Sequence, residues 1–235
     1  MWHIESLHHV EPRWELLTRV ELDRVERTRC PQRAARFANT RLVARELMSR
    51  YLRAGIADVQ FEDSLNGKPF LSEPSSSGLA FSISHTEIRS LIAVTYDQAI
   101  GVDVEEARFV SDLDALVRYT LHSSERAAIK KCSEDARSTL FLQLWTRKEA
   151  ILKALGVGLS RPPDGIPVLF GESRRGMVTL VCDYDRQACL DVIDITSKPF
   201  VAALAVEKLA SLPTIYDLPI EEGVREGWRL LWPSQ

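Results

Sequence analysis

The sequence of 235 residues predicts an α+β fold composed of two pseudo-symmetric α/β halves that meet near residue 100. One order of elements occurs twice: a long helical stretch, a strand, a short polar turn and an apolar strand. Residues 79–94 and 190–204 also resemble each other in their pattern of apolar and polar positions. We therefore expect two halves, residues 1–98 and 99–235. A ligand site is expected at the seam, because ligand sites favour such interfaces.

The elements of the first half follow from hydrophobic periodicity and turn composition. Alternating apolar and polar residues predict a strand at the N-terminus, followed by a helix over about residues 12–23. Residues 34–54 carry an apolar stripe at helical spacing, which predicts a long helix. Residues 66–69 have the composition of a turn, and two strands are predicted after it, residues 79–83 and 91–96.

The second half is predicted by the same signals. A strand is expected at residues 100–104, and residues 112–131 read as two helices divided near Ser123, where a serine can act as a cap. A long helix is predicted at residues 138–155, because good helix formers fill it and Gly156 suits a left-handed C-terminal cap. The predicted apolar stripe of this helix consists of Leu144, Ile151 and Leu155. The remaining strands are predicted at residues 177–183, 188–195 and 200–206.

Composition excludes some classes of protein. The formal net charge of −3 argues against a protein that binds nucleic acid through bulk charge. No apolar run approaches the roughly 20 residues needed to span a bilayer, so no membrane segment is expected. Without C-x-x-C spacing or a secretory signal, the cysteines are read as reduced thiols of a cytoplasmic protein. They are Cys30, Cys132, Cys182 and Cys189.

Asp103 and Glu105 stand two apart on a predicted strand and therefore project from the same face. Adjacent carboxylates repel unless a cation lies between them, and magnesium suits such oxygen ligands. A strand end that enters solvent is, for this pair alone, the more ordinary explanation. Glu149 and Lys153 share one face of the long helix, which is typical of an ordinary surface pair. Each signal alone is ordinary, and only their combination points to a site.

Three sequence blocks together resemble the signature of the 4′-phosphopantetheinyl transferases. They are SISH at residues 82–85, GVDVE at residues 101–105 and WTRKEAILKA at residues 145–154. The length, the GKP turn at residues 67–69 and the internal repeat resemble the surfactin-synthetase-activating type, a monomer with its active site at the seam between two similar halves. The likeness extends over roughly residues 66–159.

This resemblance implies a magnesium-dependent enzyme, a holo-[acyl-carrier-protein] synthase. Such an enzyme transfers the 4′-phosphopantetheine arm of coenzyme A to a serine of an apo carrier protein or domain and releases adenosine 3′,5′-bisphosphate. The carriers would belong to fatty-acid, polyketide or nonribosomal-peptide systems, and the sequence does not distinguish among them.

The resemblance also implies roles for individual residues. Asp103, Glu105 and Glu149 would hold magnesium, which neutralises charge on the phosphoryl oxygens. Glu149, or a water on the metal near it, would be the base for the carrier serine. Lys153 would contact a phosphate and stabilise the leaving group, and His85 would hydrogen-bond a phosphate.

Further implied contacts to coenzyme A come from three parts of the chain. Ser84 lies beside His85, and Lys68 matches the family lysine near the adenine nucleotide. Arg41 is the best match for the 3′-phosphate, since a guanidinium binds phosphate in a bidentate manner. Further basic residues of the 3′-phosphate patch are implied at Arg24, Arg27 and Arg29. Glu125 is implied to act near the metal.

Two alternatives to a transferase remain at this stage. A metal-dependent hydrolase would release phosphopantetheine from coenzyme A without any carrier. A non-catalytic carrier-binding protein could keep the fold, but it would be expected to have lost one of the three carboxylates, and all three are present.

Overall fold

The computed structural model describes residues 1–5, 11–75, 77–171, 173–181, 187–218, 220–223 and 227–230. Two four-stranded sheets lie face to face, and a 22-residue helix covers the outer face of each. This architecture confirms the predicted α+β class. Within the described residues, no helix combines the length and apolar character needed to cross a bilayer.

The elements of the N-terminal half are β1 (Trp2–Glu5), α1 (Arg19–Arg27), α2 (Pro31–Leu52), β2 (Gln60–Asp63), β3 (Pro69–Glu73), β4 (Leu79–His85) and β5 (Arg89–Tyr96). Leu42 and Leu47 of α2 are fully buried and pack in one core with Phe81 of β4 and Ile92 of β5. The long helix α2 and the strands β4 and β5 were therefore correctly predicted.

The C-terminal half contains β6 (Ile100–Glu106), α3 (Leu113–Thr120), α4 (Ser123–Lys131), α5 (Glu134–Leu155), β7 (Arg175–Val181), β8 (Gln187–Asp194) and β9 (Phe200–Val206). Leu144 and Ile151 of α5 are fully buried, and Leu155 packs against the same core. Gly156 ends α5 with a positive φ of 71°, as the sequence predicted.

The C-terminal part of the chain returns to the first sheet. β10 (Tyr216–Asp217) pairs in parallel with β1, whereas β11 (Ile220–Gly223) and β12 (Gly227–Leu230) form a separate hairpin. The strand orders of the two large sheets are β10-β1-β5-β4 and β6-β9-β8-β7.

A third core fills the space between the sheets. Leu91 and Ala93 of β5 meet Val102 and Val104 of β6 there, together with Leu204 of β9. Because side chains alternate along a strand, the intervening residues face the helices on the outside. The inner faces of the sheets thus join the halves, and the outer faces carry the helices.

The predicted internal repeat is present in the topology. In each sheet a hairpin, β4–β5 or β8–β9, pairs through its second strand with the first strand of that half, β1 or β6. Ser82 faces Ala93 in the first hairpin, and Ile193 faces Leu204 in the second. When these two pairs are matched, Trp2 takes the place of Asp103 and Ile4 that of Glu105.

The repeat extends to two buried ion pairs. In the C-terminal half, Lys148 of α5 lies 2.8 Å from Glu125, the third residue of α4. In the N-terminal half, Arg45 of α2 lies 2.8 Å from Glu21, the third residue of α1. Lys148 also donates to two backbone carbonyls of one loop, whereas Arg45 donates to the carbonyls of Leu16 and Val59 in two separate segments. By this match Glu46 corresponds to Glu149, and Arg50 to Lys153.

Several predicted element boundaries were wrong. The first helix begins at Arg19 rather than near residue 12, because the Thr18 side chain caps it together with Glu21. The two long helices begin three or four residues earlier than predicted. His122, and not a serine, caps α4 by accepting a hydrogen bond from the Ser124 backbone N–H.

Candidate functional site

The carboxylates of β6 face α5. Val102 and Val104 point into the core between the sheets, so Asp103 and Glu105 project from the opposite face, as their spacing predicted. Asp103 is buried and Glu105 is partly buried. The strand therefore presents two acidic groups to the helix that carries Glu149 and Lys153.

Gly101 allows α5 to approach β6 closely. A Cβ atom at this position would lie 1.9 Å from the carbonyl oxygen of Ala150 and 2.4 Å from the amide nitrogen of Ala154. Both contacts are with helix backbone, which cannot move aside as a flexible side chain could. This close approach brings the residues on one face of α5 next to Asp103.

Gly101→Ala is expected to move α5 away from β6 and to destabilise the protein by about 1–3 kcal/mol or more, the usual cost of overpacking a core. Urea unfolding measures the stability loss. A matched substitution, Gly165→Ala, has open space around its Cβ and should cost much less. Equal stability of the Gly101→Ala variant and the parent would contradict the close packing.

Lys153 joins the two halves at the seam. Its ammonium donates to Asp103 Oδ1 at 2.7 Å, to Ser84 Oγ at 3.0 Å and to the Val102 carbonyl oxygen at 3.2 Å. Ser84 Oγ in turn donates to Asp103 Oδ1 at 2.8 Å. Residues from β4, β6 and α5 thereby form one hydrogen-bonded cluster.

Two serines connect the edge strands β4 and β6. Ser82 Oγ accepts a hydrogen bond from the Val102 N–H at 3.1 Å, and Ser84 Oγ accepts one from the Val104 N–H at 3.3 Å. These hydroxyls satisfy backbone groups that would otherwise be unpaired at the edge of β6. Ser82 thus helps to close the seam.

Repulsion among the carboxylates affects their protonation. Burial raises the pKa of Glu149, and the neighbouring Asp103 raises it further, against the opposing effect of Lys153. Burial and then Asp103 likewise raise the pKa of Glu105, which Arg108 opposes. Asp103 therefore lies close enough to Glu105 and Glu149 to oppose their ionisation.

Asp103, Glu105 and Glu149 offer oxygen ligands of the kind that magnesium prefers. Asp103 Oδ2 is buried and has no hydrogen-bond partner among the described residues, although a buried carboxylate oxygen normally has one. These carboxylates, one of which is paired with the Lys153 ammonium, would gain from a further cation. Within the described residues, however, no three acidic, histidine or cysteine side chains converge as a ready-made metal site.

Two cavities adjoin at Lys153. The first, about 680 Å³, is lined by Ser84, His85, Asp103 and Glu105 among others. The second, about 440 Å³, lies on the other side of Lys153 and is lined by residues that include Lys68 and Glu149. Most of the predicted site residues thus line one or the other of these cavities, whereas five line neither: Arg24, Arg27, Arg29, Arg41 and Glu125.

His85 stands in a positively charged part of the first cavity. Partial burial and the charges of Arg36, Lys153 and Arg24 lower the pKa of its imidazole to about 4, so it is neutral at pH 7. Arg36 Nε is buried without a hydrogen-bond partner among the described residues. The sequence analysis assigned Arg36 no role, and only its effect on His85 identifies it as a candidate.

Two residues with predicted roles are held elsewhere. Arg41 is absent from the residues that line the two cavities, and its guanidinium pairs with Asp63 and lies 5.3 Å from the Phe37 ring centroid. Glu125 is fully buried and bonds to Lys148 and to the N–H groups of His122 and Val168. All these partners of Glu125 are structural, and none of them lines either cavity.

The described residues place clustered carboxylates and one lysine ammonium at the seam of an α+β fold with an internal repeat. Residues 99–205 match the model of the 4′-phosphopantetheinyl transferase superfamily, which confirms the family resemblance stated from the sequence. The matched segment includes Asp103, Glu105, Glu149 and Lys153.

Individual relatives agree with this match. The chain is 34% identical over 142 residues to the 4′-phosphopantetheinyl transferase HetI of Nostoc sp., covering 60% of each chain. It is 30% identical over 127 residues to the transferase Sfp of Bacillus subtilis, covering 54% of each. The chain thus spans little more than half the length of these curated relatives. The holo-[acyl-carrier-protein] synthase structure from Thermotoga maritima aligns at 18% identity and a TM-score of 0.33, over 56% of this chain and 81% of that one.

Proposed function

We propose that the protein transfers the 4′-phosphopantetheine arm of coenzyme A to a serine of an apo carrier protein, with release of adenosine 3′,5′-bisphosphate. The observation that carries this proposal is the cluster of Lys153, Asp103 and Ser84 at the seam, with Glu105 and Glu149 beside it. We further propose a monomer of the surfactin-synthetase-activating type that acts in the cytoplasm, with halves divided at residues 98 and 99.

Coenzyme A is proposed to bind along the two adjoining cavities. Lys68 lies in the second cavity and donates to the Ile100 carbonyl at 3.0 Å, so its ammonium is fixed where it could meet the nucleotide. Lys153, at the junction, is placed to contact the phosphates and to stabilise the leaving group. The neutral imidazole of His85 can donate one N–H to a phosphate oxygen.

Glu149 is proposed to accept the proton of the carrier serine. A carboxylate with a raised pKa is a better proton acceptor than an ordinary one, and burial and Asp103 raise the pKa of this residue. The base thus stands in the second cavity, beside Lys153. Asp103, Glu105 and Glu149 would hold magnesium, which when bound neutralises charge on the phosphoryl oxygens.

The carrier is proposed to dock beside the first cavity. Phe109, Leu116 and Tyr119 expose apolar surface, and Phe109 directly follows Arg108, which lines that cavity. Exposed aromatic side chains of this kind are typical of protein-binding surfaces. Which carriers bind there, from fatty-acid, polyketide or nonribosomal-peptide systems, is to be decided by experiment.

The test is incubation with coenzyme A, magnesium and a panel of apo carriers from these pathways. Intact-mass measurement should show one added phosphopantetheine on at least one carrier. Release of phosphopantetheine in the absence of any carrier would instead indicate a hydrolase. If every carrier stays unmodified while the protein is folded, the proposed activity is wrong.

Coenzyme A use is expected to depend on pH through Lys68. Burial, and then the Lys153 ammonium, lower the pKa of Lys68 to about 8. As the pH rises through this value the ammonium loses its charge, so kcat/KM for coenzyme A should fall. Lys68→Arg keeps its charge and should remove this fall. An identical pH profile in both proteins would exclude Lys68 as the cause.

Arg36→Ala and Arg41→Ala are each expected to raise the KM for coenzyme A and to spare dephospho-coenzyme A, which lacks the 3′-phosphate. The effect of Arg36→Ala should be the larger, about tenfold, because Arg36 Nε has no partner among the described residues, whereas Asp63 already compensates Arg41. Steady-state kinetics with both substrates measures the difference. Equal losses with both substrates would remove that arginine from the role.

A further inference from the structure

We propose that a second cleft, remote from Lys153, binds an organic anion in which a carboxylate or phosphate head group is joined to an apolar chain. This cleft, called here the rear cleft, has a volume of about 830 Å³. It is lined by His3, Arg89, residues 173–175, residues 193–197 and residues from the segment 212–217. The proposal is independent of the proposed transferase activity.

The rear cleft occupies the position related to the first cavity by the internal repeat. The strand register matches His3 with Val104, Ile195 with Ser84 and Thr196 with His85. The residues that correspond to Asp103 and Glu105 are Trp2 and Ile4, which are buried and apolar. The repeat therefore provides a second cleft but leaves it without the pair of carboxylates that suits a metal ion.

Positive charge replaces the acidic groups in the rear cleft. The Arg89 guanidinium lies 4.2 Å from the Phe200 ring centroid, and Arg174 donates only weakly, at 3.4 and 3.5 Å, to two backbone carbonyls. Within the described residues, neither arginine forms an ion pair with a carboxylate. Guanidinium groups without a carboxylate partner are suited to bidentate binding of carboxylate or phosphate.

The acidic residues near the rear cleft already have partners. Asp194 accepts from Arg147 Nε at 2.8 Å, and Asp191 accepts from Arg175 Nη2 at 2.8 Å. Asp217 lies 3.5 Å from the imidazole of His3 and is almost fully exposed to solvent. Among the side chains that the structure describes, none therefore neutralises the positive charge of Arg89 and Arg174.

An apolar wall stands beside these arginines. Ile193 and Ile195 are buried at the base of the cleft, whereas Leu212 is 72% exposed and Ile215 is 46% exposed. An apolar surface next to a few convergent polar groups is typical of small-molecule sites. Each half of such a ligand thus has a matching surface, the head group on the arginines and the chain on Leu212 and Ile215.

The experiment measures binding by calorimetry in the absence of coenzyme A, with octanoate, octyl phosphate and inorganic phosphate as probes. We expect one molecule of octanoate or octyl phosphate to bind per chain, and the comparison of the two identifies the preferred head group. Inorganic phosphate should bind at least about tenfold more weakly, because it has no octyl chain to bury apolar surface in the cleft.

Variants locate the site. Arg174→Gln should weaken binding of the preferred probe about tenfold, the usual value of a charge-assisted hydrogen bond. Leu212→Ser should weaken both octyl probes and leave inorganic phosphate unchanged. Arg161→Gln is the matched control, because Arg161 also donates to a backbone carbonyl but lies outside the rear cleft. Lys153→Met should leave octyl-probe binding unchanged.

Three results would overturn the proposal. They are the absence of binding by both octyl probes at millimolar concentration, equal affinity of the parent and the Arg174→Gln variant, and loss of binding in Lys153→Met. The last result would place the probe at the seam. All the substituted residues are exposed or partly exposed, and circular dichroism checks that each variant folds.

Discussion

Glu149→Gln is expected to lower kcat for phosphopantetheine transfer by roughly 10²–10⁴-fold, the range lost when a general base is removed. Glutamine keeps the size of the side chain but can neither accept the serine proton nor carry a charge for a metal ion. Folding should be nearly unaffected. Burial and Asp103 raise the pKa of Glu149, which means that its negative charge is unfavourable in the folded protein, so removing that charge should not destabilise the fold. Intact-mass kinetics on a carrier and thermal unfolding measure the two quantities.

The internal repeat supplies a matched control for this variant. Glu46 is the counterpart of Glu149 on α2 and accepts from Arg50 Nη2 at 2.8 Å, as part of an i,i+4 pair far from the seam cluster. Glu46→Gln should therefore leave transfer unchanged and cost a few tenths of a kcal/mol in stability. Wild-type turnover by Glu149→Gln at saturating magnesium would contradict the assignment of Glu149.

Lys148→Met is expected to lower the free energy of unfolding by about 3–5 kcal/mol. Methionine nearly preserves the length of the side chain, so the main change is the loss of a buried ammonium. Glu125 would then keep its carboxylate in a fully buried position without a counterion. The carbonyls of Pro163 and Ile166 would also lose the donor that ties their loop to α5.

A double substitution separates charge from packing. Lys148→Met combined with Glu125→Gln removes the buried charge and keeps one amide oxygen, which can accept from the N–H of either His122 or Val168, so it should recover part of the lost stability. Arg45→Met is the matched variant in the N-terminal half, and it should likewise leave the buried carboxylate of Glu21 without a counterion. If the double variant is no more stable than Lys148→Met in urea unfolding, the charge of Glu125 is not the cause of the loss.

The sequence determined which residues share a face. Strand alternation placed Asp103 and Glu105 together, and helical spacing placed Glu149 and Lys153 together, because both relations depend only on the local backbone period. The repeat of a long helix and a hairpin was also predictable, since its pattern lies within contiguous segments. The family resemblance followed from the same blocks, and the match over residues 99–205 confirmed it.

Relations between distant segments were decided by the tertiary structure. The contact of Lys153 with Asp103 depends on how closely α5 approaches Gly101, and the buried pair of Lys148 with Glu125 depends on the packing of α4. Nothing in the local sequence distinguishes a lysine at the seam from one in solvent, or Arg36 beside His85 from other arginines of its helix. Spacing specifies a face, but only packing specifies what that face meets, because long-range contacts are set by the sum of all the buried surfaces.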